Sequence, residues 1–256
     1  MSFMEVLAHG AEEEIVQAAP LLDQTIRSNS VKFTIISLAI FLILTLISLG
    51  FKQKSGWLKY ALYFSFVLVA LINTIYLSGS TIYLNQQSTT GGPVHYHADY
   101  QIWNCGKQIE LADPEGFSNK IGTNVTHEHN DNRIHIEGVI LDPSQASLSH
   151  FFREVGGSFD SDHLTIPADE GMITMETGNI CPDGTSGILQ VFVFKTINGE
   201  FFQQKVINPK DYVISPQGSV PPGDCVIFEF GPLKEKTDRL CNFYEIAVLK
   251  GEIHER

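Results

Sequence analysis

The sequence predicts an α+β protein: a two-helix transmembrane hairpin, then an extracytoplasmic mixed β-sheet domain with one short amphipathic helix. Two long uncharged apolar runs lie near the N-terminus, alternating apolar and polar residues dominate the remainder, and one segment there has helical spacing. These observations divide the chain into an external N-terminal tail (1–31), the transmembrane hairpin (32–84), a linker (85–94) and the extracytoplasmic domain (95–256).

The two apolar runs have the length of membrane spans. The first lies between Lys32 and Lys52 and has about 19 uncharged residues, close to the roughly 20 needed to cross a bilayer core. The second follows Lys59 and carries tyrosines near both ends, where amphipathic rings favour the membrane interface. The acidic first 30 residues lack the basic start and cleavage site of a signal peptide. Two buried helices of a soluble protein are the alternative interpretation.

The distribution of lysines predicts the orientation of the hairpin. The connecting loop, 52–59, carries three lysines and no acidic residue, whereas the segment before the first run is mainly acidic. No Lys or Arg follows the second run until Lys107. Because positively charged loops stay in the cytoplasm, we expect a multi-pass protein of the cell membrane with this loop on the cytoplasmic side. The N-terminus and the C-terminal domain then lie outside the cytoplasm.

The charge of the external region excludes one class of partner. Residues 91–256 carry 12 Lys+Arg and 24 Asp+Glu, which accounts for the whole formal net charge of −12. Such an acidic surface repels nucleic acid and anionic lipid headgroups. The polar, Gly-rich residues 85–94 suit a flexible tether. The expected partners are therefore the lipid bilayer, a transition metal and an unspecified membrane protein, with no nucleic acid.

Two β-hairpins are predicted at the start of the domain. The strand HYHADYQIW is followed by NCGK and QIEL, a pattern typical of two strands joined by an Asn/Gly turn. VTHEH, NDN and RIHIEGVIL predict a second hairpin, and a turn at 131–133 would place His129 opposite His135.

The hydrophobic period then changes to that of a helix. Apolar residues recur at helical spacing between Leu148 and Val155, Ser147 is placed to cap the N-terminus, and Gly156 with Gly157 ends the run. The segments HLTIP, GILQVFVFKTI, EFFQQKVI and CVIFEFGP return to strand patterns. This order fits a sheet packed on a single helix.

Two resemblances support this domain type. The segments VFVFKTINGEFFQQ, PKDYVI and PPGDCVIFEFGP are similar to the second half of a ubiquitin-like β-grasp domain. HYHADYQIWNCGKQIEL, THEHNDNRIHIEG and LSHFFREVG, about 60 residues with turns and links included, resemble uncharacterised membrane-anchored prokaryotic surface proteins with an H-x-H, H-x-H, I-H-I-E domain. The second resemblance implies location and domain type and supplies no catalytic residue.

All four cysteines fall in the external region. An even count in an oxidising compartment predicts two disulfides rather than thiolate metal ligands, since no C-x-x-C spacing is present. Three pairings are open to the sequence, and the favoured one joins Cys105 to Cys181 and Cys225 to Cys241.

The histidines carry the strongest chemical signal. Five lie in two compact blocks, and residues two apart on a strand point to the same face. Neutral imidazole suits copper and zinc, so we predict a site for one of these metals. The predicted ligands are His95, His97, His127, His129 and His135. The neighbouring carboxylates Asp99, Glu128 and Glu137 are candidates to orient the rings or complete the ligand shell.

Other candidates are weaker. His150 and His163 are expected to be surface or hydrogen-bonded residues rather than ligands. Met172 and Met175 are sulfur donors suited to copper(I), but their spacing also fits ordinary packing. The sequon at Asn124 indicates a surface loop if the source organism glycosylates asparagine.

The histidine pattern favours a binding protein over an enzyme. The sequence lacks the H-E-x-x-H zinc-protease motif, the G-x-S-x-G elbow and the P-loop. We therefore predict a membrane-anchored domain that captures, buffers or delivers copper or zinc. One alternative is a structural or interaction subunit of a membrane assembly without metal, and the other is a metal-dependent enzyme with an open coordination position.

Overall fold

The computed structural model describes residues 3–51, 55–117, 119–214 and 223–256, with side chains described from residue 22 onward. The chain divides into two compact units, Met1–Gly92 and Pro93–Arg256. The unit boundary agrees with the predicted change from apolar helices to a polar, strand-rich domain.

The first unit consists of two long helices, α1 (Phe3–Gly50) and α2 (Gly56–Gln87). Within them, Leu22–Gly50 and Gly56–Gln87 are long and apolar enough to cross a membrane, by length and composition. Almost none of their apolar surface is buried within the protein, as expected of side chains whose solvent is lipid. This finding argues against the alternative of two buried helices in a soluble protein, whose apolar faces would be covered.

Aromatic pairs join the two helices. Phe33 stacks on Tyr76 with ring centroids 4.2 Å apart, and Phe41 stacks on Phe66 at 5.7 Å. Because the residue numbers rise along one helix as they fall along the other, these contacts define an antiparallel hairpin. Residues 52–54 of the predicted cytoplasmic loop lie outside the described residues.

The helices extend beyond the two predicted spans. Helix α1 begins at Phe3, so helical structure runs through most of the predicted tail, including Pro20. Helix α2 ends at Gln87 and the first strand begins at Pro93, which leaves only residues 88–92 of the predicted linker without regular structure.

The described residues of the second unit form two sheets. The larger has nine strands in the order β12-β10-β9-β11-β1-β5-β4-β3, with β2 paired to β1. The smaller has the order β6-β7-β8. The strands are β1 (Pro93–Asn104), β2 (Lys107–Ile109), β3 (Ile121–Gly122), β4 (Thr126–Glu128), β5 (Arg133–Val139), β6 (Ser158–Phe159), β7 (His163–Ala168), β8 (Gly171–Glu176), β9 (Ile188–Ile197), β10 (Glu200–Lys205), β11 (Asp224–Gly231) and β12 (His254–Glu255).

The larger sheet is mixed, as the sequence predicted. Strand β1 is parallel to β11 and antiparallel to β5, and β12 runs parallel to β10. The first predicted hairpin is confirmed, because Asn104 pairs with Lys107 across a two-residue turn. The central turn residues, Cys105 and Gly106, both have positive φ, 50° and 82°. Such backbone angles are those of the tight turns that match strand twist.

The predicted helix is confirmed as α3 (Leu148–Glu154). The Ser147 hydroxyl accepts a hydrogen bond from the His150 backbone N–H, which is the capping role expected from the sequence. Phe152 is fully buried and its ring centroid lies 5.0 Å from that of Phe228 in β11. Helix α3 therefore covers one face of the central strands.

The opposite face is covered by a second helix, α4 (Asn242–Leu249), which the sequence analysis missed. Tyr244 of this helix is fully buried, and its hydroxyl donates to the backbone carbonyls of Phe194 and Gly223. The sheet is thus packed on both faces, which explains why β9 and β11 are buried almost without alternation. Two 3₁₀ helices, Pro143–Ala146 and Pro209–Asp211, complete the helical elements of the described residues.

Two disulfides join distant parts of this unit. Cys105 is bonded to Cys181 and Cys225 to Cys241, and no cysteine is free. The favoured pairing is therefore confirmed. The first bridge links the β1–β2 turn to the segment after β8, and the second fixes the start of α4 to β11.

Candidate metal centre

Strand register places three predicted ligands in one row across the larger sheet. His97 of β1 is paired with His135 of β5, and His135 is paired with His127 of β4. Their side chains share the face of the sheet opposite the core that contains Ala98, Ile134 and Ile136. Three neighbouring strands therefore bring three imidazoles together.

The predicted partner of His135 was wrong. His127, not His129, lies opposite it, so the register differs from the expectation by two residues. The β4–β5 loop is longer than a tight NDN turn and uses two left-handed residues, Asn130 (φ 62°) and Asn132 (φ 55°). A shift of two residues preserves the face to which each side chain points. His129 consequently still approaches the row, with its ring centroid 5.0 Å from that of His135.

A second row adds one more histidine and a carboxylate. His95 of β1 is paired with Glu137 of β5, and its Nε2 lies 3.1 Å from Glu137 Oε1. The same nitrogen lies 2.8 Å from Nε2 of His97. Glu137 is thus the one of the three candidate carboxylates that joins the histidines as a potential ligand.

The side chains form two potential metal-ligand groups. In each group one ligand atom per residue lies within 4.8 Å of all the others, close enough for small movements to surround a single ion. One group contains His95, His97, His135 and Glu137, and the other contains His127, His129 and His135. All five predicted histidines are included, and His135 belongs to both groups.

His127 is the most deeply buried of these ligands. The residue is 2% exposed, and its Nδ1 has no hydrogen-bond partner among the described residues. An unpaired polar atom at such depth is costly, and buried polar groups are ordinarily paired. A metal ion that accepts a lone pair from the imidazole would provide the missing partner.

Nearby carboxylates have separate roles. Asp131 Oδ2 lies 3.1 Å from His135 Nε2, so this residue, which the sequence analysis missed, orients the shared histidine. Glu128 instead accepts hydrogen bonds from the Asp131 and Asn132 backbone N–H groups and holds the β4–β5 loop. Asp99 accepts a bond of 2.7 Å from Arg133 Nε. Two of the carboxylates predicted to orient the rings therefore have other hydrogen-bond partners. Glu128 binds the β4–β5 loop, and Asp99 binds Arg133.

Burial keeps two ligands neutral. It lowers the pKa of His97 to about 4, assisted by the nearby His135, His95 and Arg133, with Glu137 acting in the opposite direction. Burial also lowers the pKa of His127 to about 4, against the opposing effect of Glu137. Neutral imidazole is the form that binds metal, so the side chains of His97 and His127 can act as ligands at neutral pH.

The depressed pKa values predict that the metal-free protein loses stability on mild acidification. Between pH 6.5 and about 4, the unfolded chain protonates both imidazoles while folded His97 and His127 remain neutral. Asp99 opposes this trend, because burial raises its folded pKa to about 6. Two histidines outweigh one carboxyl, so we expect a lower free energy of unfolding at pH 5 than at pH 7.

Denaturant titration monitored by Trp103 fluorescence measures this difference. A matched His97→Asn variant should show a smaller loss between the two pH values, because it lacks one of the two histidines whose lowered pKa causes that loss. Equal losses in the parent and the variant would contradict the role assigned to His97.

The weaker candidates lie outside both groups. His150 contacts Arg153 and Glu154 on α3, and His163 contacts Ser158. The two methionines are in β8 of the smaller sheet. Met175 is buried, and packing in the hydrophobic core explains its position. Met172 is 58% exposed.

The chain has no match among protein-family models, curated proteins or solved structures. The interpretation of the histidine site therefore rests on its own geometry and chemistry.

Proposed function

We propose that this chain is a membrane-anchored protein that binds copper or zinc through the histidines of its extracytoplasmic domain, for capture, buffering or delivery of the metal. The observation that carries the proposal is the convergence of five histidines from three adjacent strands and the β4–β5 loop, one of them buried with an unpaired nitrogen. Histidines that were only polar residues on an exposed sheet face would not include a buried imidazole without a hydrogen-bond partner.

The donor set supports copper(II) or zinc. It consists of imidazole nitrogens and one carboxylate, which suit both ions, and contains no thioether or thiolate of the kind preferred by copper(I). The four cysteines, as disulfides, are not available as thiolate ligands. The site is thus expected to discriminate between these ions by geometry rather than by donor softness.

The proposed location rests on the helices and the disulfides together. Two helices have the length and apolar surface of membrane spans, and disulfides persist in oxidising compartments. We propose a multi-pass protein of the cell membrane with the loop 52–59 in the cytoplasm. The N-terminus and the histidine domain lie outside in this arrangement.

Site-specific labelling tests this topology. A Lys54→Cys variant should resist an impermeant thiol reagent in intact cells, whereas Gln87→Cys, at the far end of α2, should react. The native cysteines do not interfere because all four are bonded. Labelling of position 54 in intact cells, with position 87 protected, would reverse the proposed orientation.

Two relationships to other proteins are also proposals. A β-grasp-like origin is supported by the parallel pairing of β1 with β11 at the centre of a mixed sheet and by α3 across one face. Helix α4 and the smaller sheet are additions to that plan. The likeness to membrane-anchored prokaryotic surface proteins with paired H-x-H strands is likewise a proposal.

Elemental analysis tests the function. The full chain, purified in detergent without a histidine tag and exposed separately to copper(II) and zinc at pH 7, should retain one of these metals after dialysis. The matched control is a His150→Asn, His163→Asn double variant, which should retain as much. If the parent retains neither metal, the structural or interaction subunit becomes the better interpretation.

A further inference from the structure

Four of the histidines form a continuous path from the solvent to the interior. Successive ring centroids are 4.5 Å apart from His95 to His97, 4.6 Å from His97 to His135 and 5.4 Å from His135 to His127. The His95 side chain is 62% exposed and that of His135 is 11% exposed, while the residue His127 is 2% exposed. Accessibility therefore falls along this path, and the half-buried His129 lies beside its inner end.

The shared residue, His135, connects an outer ligand group with an inner one. The outer group contains the exposed His95 with the half-buried His97 and Glu137, and the inner group contains the buried His127 with the half-buried His129. His95 is the most exposed of the five histidines, so the outer group offers an ion from solvent the more accessible first ligand. Glu137 adds a negative charge at this outer end, within a domain whose overall charge attracts cations.

His135 can serve only one ion at a time. Its Nε2 lies 3.1 Å from Asp131 Oδ2. A neutral imidazole has one N–H and one lone pair, and a carboxylate oxygen at this distance accepts the hydrogen bond, so Nε2 carries the proton and Nδ1 keeps the single lone pair. Two ions bridged by His135 would require loss of that proton beside a negative charge.

We infer that the two ligand groups are successive positions for one metal ion, which is received by the outer group and passes through His135 to the inner group. This inference rests on the proposed metal-binding function. During transfer, bonds from the ion to His95, His97 and Glu137 break as bonds to His127 and His129 form, while His135 stays bound. The exchange involves no change in oxidation state, and the buried His127 gains the partner it lacks.

The expected signature is kinetic. A His95→Asn, Glu137→Gln double variant loses the receiving position but keeps the final one. Association and dissociation of zinc should both slow, by about tenfold, with the dissociation constant little changed. A His129→Asn variant should instead keep rapid capture and release zinc at least about tenfold faster. The control, His163→Asn, should match the parent in both rates.

The experiment mixes zinc(II) with the full chain in detergent micelles, without a histidine tag, in a stopped-flow instrument with a fluorescent chelator as competitor. One zinc per chain with the rate pattern above supports the transfer path. Two zinc ions bound together with similar affinity, or unchanged rates in the His95→Asn, Glu137→Gln variant, would overturn it while leaving metal binding intact. A parent chain that binds no zinc or copper would overturn the proposed function as well.

Discussion

Replacing His135 by asparagine is expected to abolish high-affinity binding of both copper and zinc. His135 is the only residue that belongs to both potential ligand groups, so its loss leaves each group incomplete. Removal of an outer-shell partner typically costs 10- to 100-fold in metal affinity, and loss of this ligand should cost more than about 100-fold. Competition with a chelator of known affinity measures the change.

Matched variants separate ligand loss from damage to the fold. The His97→Asn, His129→Asn double variant removes one ligand from each group and should show a similar loss, although His135 remains. The His150→Asn, His163→Asn variant removes the same number of imidazoles elsewhere and should bind as the parent does. If His135→Asn unfolds at the same denaturant concentration as the metal-free parent and still binds zinc as tightly as the parent, the histidines are not the metal site.

Removing the Cys105–Cys181 disulfide should destabilise the domain by about 4 kcal/mol, because the bridge closes a long loop in the unfolded chain. The sequence separation is 76 residues, against 16 for Cys225–Cys241, for which the same chain-entropy argument gives about 3 kcal/mol. Denaturant unfolding of Cys105→Ser, Cys181→Ser and Cys225→Ser, Cys241→Ser variants tests the order.

Burial provides a check on the entropic argument. Cys225 and Cys241 are 0% and 1% exposed, so replacing them also disturbs packing between β11 and α4. Alanine in place of serine at these positions avoids burying unpaired hydroxyls and should recover part of the loss. Mass analysis of the parent under non-reducing conditions should find no free thiol. Four free thiols in protein taken from its native compartment would show that these bridges do not form there.

Local sequence signals predicted local structure well. Helix α3 begins where Ser147 offers its hydroxyl as a cap, and the first hairpin closes at the Asn/Gly-rich turn, because each depends on residues close together in the chain. The shared face of His95 and His97 followed from strand periodicity alone. The grouping of the five predicted histidines depends in addition on which strands pair.

Long-range strand pairing and the geometry of the β4–β5 loop could not be predicted from the sequence. Nothing local indicates that β1 pairs with β5, which lies some 30 residues further along the chain, or that this pairing puts His97 beside His135. The β4–β5 register depends on two left-handed asparagines and on Glu128 holding the loop from inside. The orienting role of Asp131 follows from that loop and could not be predicted without it.

The parallel pairing of β1 with β11 has a consequence for the order of folding. Residues near Ala98 join residues near Asp224, so the central strand of the sheet cannot be completed until β11 has been synthesised. Contacts between such distant residues slow folding. The β1–β5–β4 segment, by contrast, is contiguous between residues 93 and 139. We therefore expect the histidine cluster to assemble before the sheet closes, so that copper or zinc added during refolding should accelerate folding of the domain.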